Sequence, residues 1–345
     1  MAQKILWASL ALTPFVLVLR FAVHAGDVVL FVVAAAALIP LAWLIGEATE
    51  HAAEHTGAGV GGFLNASFGN APELIIALLA VREGLPDVVR GSITGSVVSN
   101  ILLVLGIAMI FGGDGPVDRR SLVLQLGIVV FAVAVLLVPS IPGWSGNPNR
   151  HSLEQLTIPV SIVLLVVYLV VTTINLRKHS AAHREEASAH AWSLPASLAA
   201  LGGATLATAL VSEVLVHSLE GFGKAAGLSD FFIAVVIVAI VGNAAEHGGA
   251  VVIAHNGNTR LATEIAISSS AQVAVFVAPA IALLSWLVAD GLALSFRPIE
   301  IATMGLAAAG VAFVVADGRS KRWEGVLLVT VYAAVALGYL ASGDR

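Results

Sequence analysis

The chain has 345 residues, 58% of them hydrophobic and only 11% charged, with a formal net charge of −5. Soluble domains carry about 25% charged residues, so a water-soluble globule is excluded and most of the chain must meet lipid or other apolar helices. The acidic balance offers nothing to nucleic acid, and the absence of cysteine excludes disulfide and thiolate chemistry.

A bilayer-crossing helix needs about 20 mostly apolar residues. Eleven stretches meet that length: 5–22, 27–50, 58–81, 86–112, 121–141, 153–176, 194–219, 231–255, 261–287, 298–316 and 323–342. The first follows Lys4 and precedes Val23-His24-Ala25, as a signal peptide would, but Arg20 at its edge favours a retained helix. Gly, Pro, Asn and charge clusters separate most of the others.

The stretches fall into matching halves. The second carries Glu47, His51 and Glu54, and the seventh carries Glu213, His217 and Glu220, both as Glu-x3-His-x2-Glu. The third carries Gly69-Asn70-Ala71-Pro72-Glu73, and the eighth carries Gly242-Asn243-Ala244-Ala245-Glu246. The fourth carries Ser96, Ser99 and Asn100, and the ninth Ser268 through Gln272. Three polar landmarks in one order predict a repeat: an N-terminal helix over 1–26, a first repeat over 27–177, a polar linker over 178–192 and a second repeat over 193–345. Five helices per repeat reverse its direction. The expected fold is an all-α polytopic membrane protein of about eleven transmembrane helices, one N-terminal helix plus two inverted five-helix repeats. Secondary transporters are built this way, with the site at the midplane. Lys and Arg favour a cytoplasmic N-terminus.

Glu73 and Glu246 each lie near the middle of a bilayer-length stretch. A carboxylate there costs roughly 2.5–3.5 kcal/mol on insertion scales, and intramembrane acids are usually functional. Pro72 cannot donate to the helix ladder, so a carbonyl near Phe68 loses its partner. Freed backbone is tolerated only where protein or a wet cavity satisfies it. In the second copy Ala245 replaces Pro72, leaving Gly242 to break the helix. Freed carbonyls and carboxylates are hard oxygen ligands, suited to Ca²⁺ rather than soft metals. Gly69, Asn70, Gly242 and Asn243 complete the expected Ca²⁺ or proton site, with Ser96, Ser99, Asn100, Ser268 and Gln272 as supporting oxygens.

These two Gly-Asn-Ala-x-Glu segments, with their Ser-Asn and Ser-Gln companions, resemble the alpha repeats of the Ca²⁺:cation antiporter superfamily. Gly242 through His247, followed by Ser268 through Phe276, is similar to its cation/proton exchanger branch. The resemblance spans nearly the whole chain. It implies a Na⁺/Ca²⁺-exchanger-like fold, Ca²⁺ held between Glu73 and Glu246, and H⁺ as counter-ion, with no enzyme activity and no cofactor. The acidic helix that the family often carries between its halves is reduced here to Glu185 and Glu186. A prokaryotic inner membrane is the expected location.

The exchange mechanism also follows without the family. Two carboxylates in low dielectric are neutralised by one Ca²⁺ or by protons, so an empty site is costly to turn over. Each Glu-x3-His-x2-Glu triplet lies on one helix face and reads as a cation vestibule; Glu47, His51, Glu54, Glu213, His217 and Glu220 are the expected pathway. His247, about 100° around the helix from Glu246, is a candidate proton relay or a packed core histidine. Rival readings are a Na⁺/Ca²⁺ or other cation exchanger, a passive channel, and an intramembrane zinc peptidase built on His51-Ala52-Ala53-Glu54-His55. The second repeat undercuts the peptidase, because Gly221 stands where His55 would be.

Overall fold

The computed structural model describes residues 2–180 and 192–344, without the side chains of residues 2, 3, 57–63, 65, 66 and 175–180. Among the described residues the regular structure is helical apart from a pair of two-residue strands. The N-terminal segment is α1 (Ala2–Ser9), α2 (Leu12–Val18) and a π turn (Leu19–Val23), closed by His24 in the left-handed region at φ 54°. Next come α3 (Asp27–Phe68), α4 (Ala71–Arg82), α5 (Pro86–Val98), a π turn (Ser99–Val104) and α6 (Leu105–Gly112). Strand β1 (Gly115–Pro116), α7 (Arg119–Gly143) and α8 (His151–Ser180) complete the first half. The second half holds α9 (Leu194–Ala226), α10 (Asp230–Phe232), a π turn (Ile233–Val238), α11 (Ala239–Gly242) and α12 (Ala244–His255). It ends with α13 (Thr259–Gln272), a π turn (Val273–Val277), α14 (Ala278–Leu284), α15 (Pro298–Val314), β2 (Arg319–Ser320) and α16 (Arg322–Ser342).

Among the described residues nine helices are long and apolar enough to span a membrane, ten if Asp230–Gly242 and Ala244–His255 form one span bent by 60°. The remaining expected stretch, 58–81, runs through residues whose side chains lie outside the description, as does most of the 178–192 linker. One boundary differs from expectation. The polar residues 51–57 do not interrupt the backbone; α3 runs unbroken for 42 residues, about 63 Å at 1.5 Å per residue. Ala, Glu and His keep a helix going in the absence of Pro, so this polarity does not mark a loop.

Local chemistry sets the other ends. The Asp118 carboxylate caps α7 by accepting from the Ser121 N–H at 3.1 Å, and the Asn258 side chain caps α13 by accepting from Leu261 N at 3.2 Å. Pro86 opens α5, and Pro298 opens α15, where Glu300 reaches back to accept from Arg297 N at 2.6 Å.

The chain divides into two compact units, each drawn from both halves of the sequence. The first holds Met1–Leu79, Val166–Ala226 and Val241–Ala245; the second holds Ala80–Leu165, Gly227–Ile240 and Glu246–Arg345. The first unit is organised by α3 and α9. Phe31, near the start of α3, stacks on Phe222, near the end of α9, with ring centroids 4.3 Å apart. Ile45 and Ala48 share a buried cluster with Leu201 and Ala204. The two helices are therefore antiparallel. Trp7 of α1 meets Trp43 of α3 edge to face at 5.4 Å.

The second unit is held by close backbone approaches. A β-carbon on Gly91 would lie 3.1 Å from the Ala234 methyl, and one on Gly95 only 2.0 Å from the Val235 carbonyl oxygen. This small-x3-small spacing is how membrane helices gain van der Waals contact. The segment 292–296 is buried without being helical, and side chains satisfy its backbone. Thr157 accepts from Leu294 N, Ser140 accepts from Phe296 N, and the buried Arg90 donates to the Ala293 carbonyl at 2.9 Å. β1 pairs antiparallel with β2 in the register Gly115 to Ser320.

Candidate functional site

The two Gly-Asn-Ala-x-Glu segments adopt one local design. In the first copy α3 ends at Phe68, Gly69 and Asn70 form a turn, and α4 begins at Ala71. In the second copy α11 ends at Gly242, Asn243 forms the turn, and α12 begins at Ala244. Asn stands immediately before a new helix each time, and the glutamate occupies its first turn: Glu73 in α4, Glu246 in α12. The second copy breaks by 60° although Ala245 replaces Pro72. Proline is therefore not what breaks the span; Asn is the residue common to both turns, and its side chain favours the position ahead of a helix. Pro72 is accommodated in the first turn, where no intrahelical N–H is needed.

This arrangement has a definite electrostatic sense. The first turn of a helix carries partial positive charge, so an ionised carboxylate there is favoured. The preceding segment ends in carbonyls without intrahelical donors, which present oxygen to a cation. Asn70 and Asn243 are almost completely buried.

In the first unit the two copies interlock. A β-carbon on Gly242 would lie 3.4 Å from Glu73 Cγ and 3.7 Å from its Cδ and Oε1. The second copy's glycine thus provides the flat surface against which the first copy's carboxylate rests. Glu246 belongs to the second unit. Its carboxylate is hydrogen-bonded by the Ser269 hydroxyl, and its Oε2 is enclosed and makes no hydrogen bond among the described residues. In the same unit Ser96, Ser99 and Asn100 are buried on α5 and its π turn. Ser99 donates to the Ser96 carbonyl at 3.4 Å, and Gln272 is half-buried at the end of α13. Ser268 turns back on its own helix and donates to the Ile265 carbonyl at 3.0 Å.

Ser269 is the residue that reading the sequence passed over. Matching Ser96 to Ser268 follows the Ser-x3-Asn and Ser-x3-Gln spacing. Counting from the glutamates instead gives Ser269, which lies 23 residues beyond Glu246 as Ser96 lies 23 beyond Glu73. Both polar motifs run into π turns: Leu105 N reaches back five residues to the Asn100 carbonyl, and Ala278 N to the Val273 carbonyl. Such turns cluster at functional sites.

The Glu-x3-His-x2-Glu triplets lie on α3 and α9. Because these helices are antiparallel, Glu47, His51 and Glu54 lie towards one end of the pair and Glu213, His217 and Glu220 towards the other. Glu213, His217 and Glu220 are exposed, and Glu220 lies 3.4 Å from Lys224. In the first triplet His51 Nε2 is 3.7 Å from Glu47, and the imidazole stacks on Trp192 at 4.7 Å. His55 Nε2 donates to the Trp192 carbonyl at 2.6 Å. Both imidazoles are engaged by Trp192, one by its ring and the other by its carbonyl, and no three His, Asp or Glu among the described residues gather to hold a metal. His247 is half-buried, and its Nε2 is enclosed without a hydrogen bond among the described residues.

Membrane-length helices, with a half-buried glutamate in the first turn after each Gly-Asn turn, define an ion-transporter class of polytopic membrane protein. The sodium/calcium exchanger protein family model matches residues 26–177 and 196–340, and the chain belongs to that family, in the cation/proton exchanger branch of the Ca²⁺:cation antiporter superfamily. It is similar to the Ca²⁺/H⁺ antiporter ChaA of Bacillus subtilis, at 36% identity over 331 residues covering 92% of this chain and 93% of the relative. It is also similar to a Ca²⁺/H⁺ antiporter of Aphanothece halophytica, at 33% identity over 92% of this chain and 91% of the relative. Among solved structures, native YfkE superimposes with a TM-score of 0.84 at 33% identity, covering 98% of this chain and 99% of the other.

Proposed function

We propose that this protein exchanges Ca²⁺ for H⁺ across a prokaryotic inner membrane, with Glu73 and Glu246 as the groups that take up either ion. The observation that carries the reading is the repeated design: a span interrupted at Gly-Asn, with a carboxylate in the first turn of the helix that restarts. Relatives named as Ca²⁺/H⁺ antiporters, matched over nine-tenths of the chain, support the choice of ions.

A bare carboxylate away from water loses its hydration. Bound Ca²⁺ removes the charge; so does protonation. Asn70, Asn243, Ser96, Ser99, Asn100, Ser269 and Gln272 supply neutral oxygens, which suit a hard cation. Either loaded form carries little net charge through the apolar midplane, whereas the empty form carries two negative charges. The cycle therefore couples Ca²⁺ in one direction to protons in the other, by alternating access between inverted repeats. Direction follows the ion gradients, with about 2.3 kcal/mol per net charge moved per 100 mV. The triplets Glu47/His51/Glu54 and Glu213/His217/Glu220 form an acidic entry on each side, which raises local cation concentration. His247 serves as a relay for the proton. The N-terminus lies in the cytoplasm. Nothing in this cycle calls for an enzyme active site, a resident cofactor or zinc.

The test is Ca²⁺ uptake into proteoliposomes with an acid lumen. The wild type should accumulate Ca²⁺ until the pH gradient collapses. Glu73→Gln and Glu246→Gln should each reduce uptake to the level of empty liposomes; normal uptake by either variant refutes the assignment.

A further inference from the structure

Three consecutive serines of α13 make three different bonds. Ser268 donates within its own helix to Ile265. Ser269 bonds the Glu246 carboxylate. Ser270 is fully buried and donates across to the Val97 carbonyl of α5 at 3.0 Å. Val97 directly follows Ser96, and the π turn carrying Asn100 begins two residues further on, at Ser99. The Ser270 hydroxyl thus ties a carbonyl of α5 just ahead of that π turn to α13. The opposite flank of α5 is already fixed, because Gly95 sits against the Val235 carbonyl with no room for a β-carbon. Ser270 is thus the side chain that registers the Ser96–Asn100 segment against the helix whose Ser269 bonds Glu246.

Resting on the reading of Glu73 and Glu246 as the exchange site, we propose that Ser270 is a positioning residue. Through the Val97 carbonyl it sets the height of Ser96 and Asn100 along α5 and so tunes Ca²⁺ affinity without touching the ion.

The test compares Ser270→Ala, Ser270→Thr and Ser269→Ala in proteoliposomes, measuring half-saturating Ca²⁺, maximal rate and the pH profile, with Glu73→Gln run alongside. Losing one buried hydrogen bond should raise the half-saturating Ca²⁺ of Ser270→Ala about fivefold. Its maximal rate should stay within about twofold by the same measure, and its pH profile should not move. Ser270→Thr should restore the wild-type value. Ser269→Ala, which removes a bond to the carboxylate itself, should move the pH profile. If Ser270→Ala fails to fold, Ser270→Cys, a weak donor of similar size, should show an intermediate affinity. Unchanged half-saturation in a folded Ala or Cys variant, or a fall in maximal rate alone, overturns the proposal. A silent Glu73→Gln with a normal Ser270→Ala removes only the positioning role; an active Glu73→Gln removes the site reading beneath it.

Discussion

A β-carbon on Gly95 would meet the Val235 carbonyl oxygen at 2.0 Å and the Ala239 methyl at 2.7 Å, whereas one on Gly202 would meet nothing within 4 Å. Both glycines lie inside helices, so their fates on substitution should separate. Gly95→Ala forces two packed helices apart and should destabilise the protein by about 1–3 kcal/mol or more. Gly202→Ala should be neutral or stabilise by up to about 1 kcal/mol, since glycine costs a helix interior that much. Thermal unfolding in detergent measures both. Asp118 offers a pH test at the same scale. The Ser121 N–H, with Arg260 adding its charge and a 2.8 Å hydrogen bond, holds this carboxyl below the usual carboxylate value. A lowered acid stabilises the folded state fully above its ordinary value near 4 and loses that contribution as pH falls through the lowered one. Asp118→Asn should therefore melt lower than wild type at pH 6, with the gap closing as the pH drops towards 3.

At the scale of elements, the antiparallel α3–α9 pair gives the acidic triplets a sidedness that transport can reveal. Neutralising Glu47 and Glu54 should raise half-saturating Ca²⁺ mainly from one face of the membrane, and neutralising Glu213 and Glu220 mainly from the other. Equal effects from both faces would remove the vestibule role. Much of this architecture was legible in the sequence, because apolar length alone locates membrane helices: the expected 86–112 coincides with Pro86–Gly112, and 298–316 differs from Pro298–Asp317 by one residue at its end. What stayed hidden depends on geometry that composition does not encode. The continuity of α3 through residues 51–57 was masked because polar residues look alike in helix and loop. The 60° break of the second copy was expected at Gly242, but Gly242 ends α11 in helix and the turn falls on Asn243, whose preference for the position ahead of a helix is a weaker sequence signal than proline. The bond from Ser269 to Glu246 needed a count from the glutamate, since the one-residue offset between Asn100 and Gln272 disguises it. Arg90, under 2% exposed, donates to the Ala293 carbonyl of a buried non-helical segment that apolar periodicity does not reveal.

For the molecule as a whole, each compact unit draws on both halves of the sequence. The first unit holds Glu73 against Gly242, and the second holds Glu246 against Ser269. Exchange demands that these carboxylates never cross the apolar midplane bare, and that demand separates this account from a passive channel. It also separates it from a sodium-driven exchanger, in which protons would not be the traded ion. The decisive measurement is made on purified protein in liposomes with a pH-sensitive dye inside and no Na⁺ or K⁺ on either side. On addition of external Ca²⁺ the lumen should become alkaline as Ca²⁺ enters and protons leave, and Glu246→Gln should abolish the signal. Ca²⁺ entry with a constant luminal pH, or entry that begins only when Na⁺ is supplied inside, would contradict it.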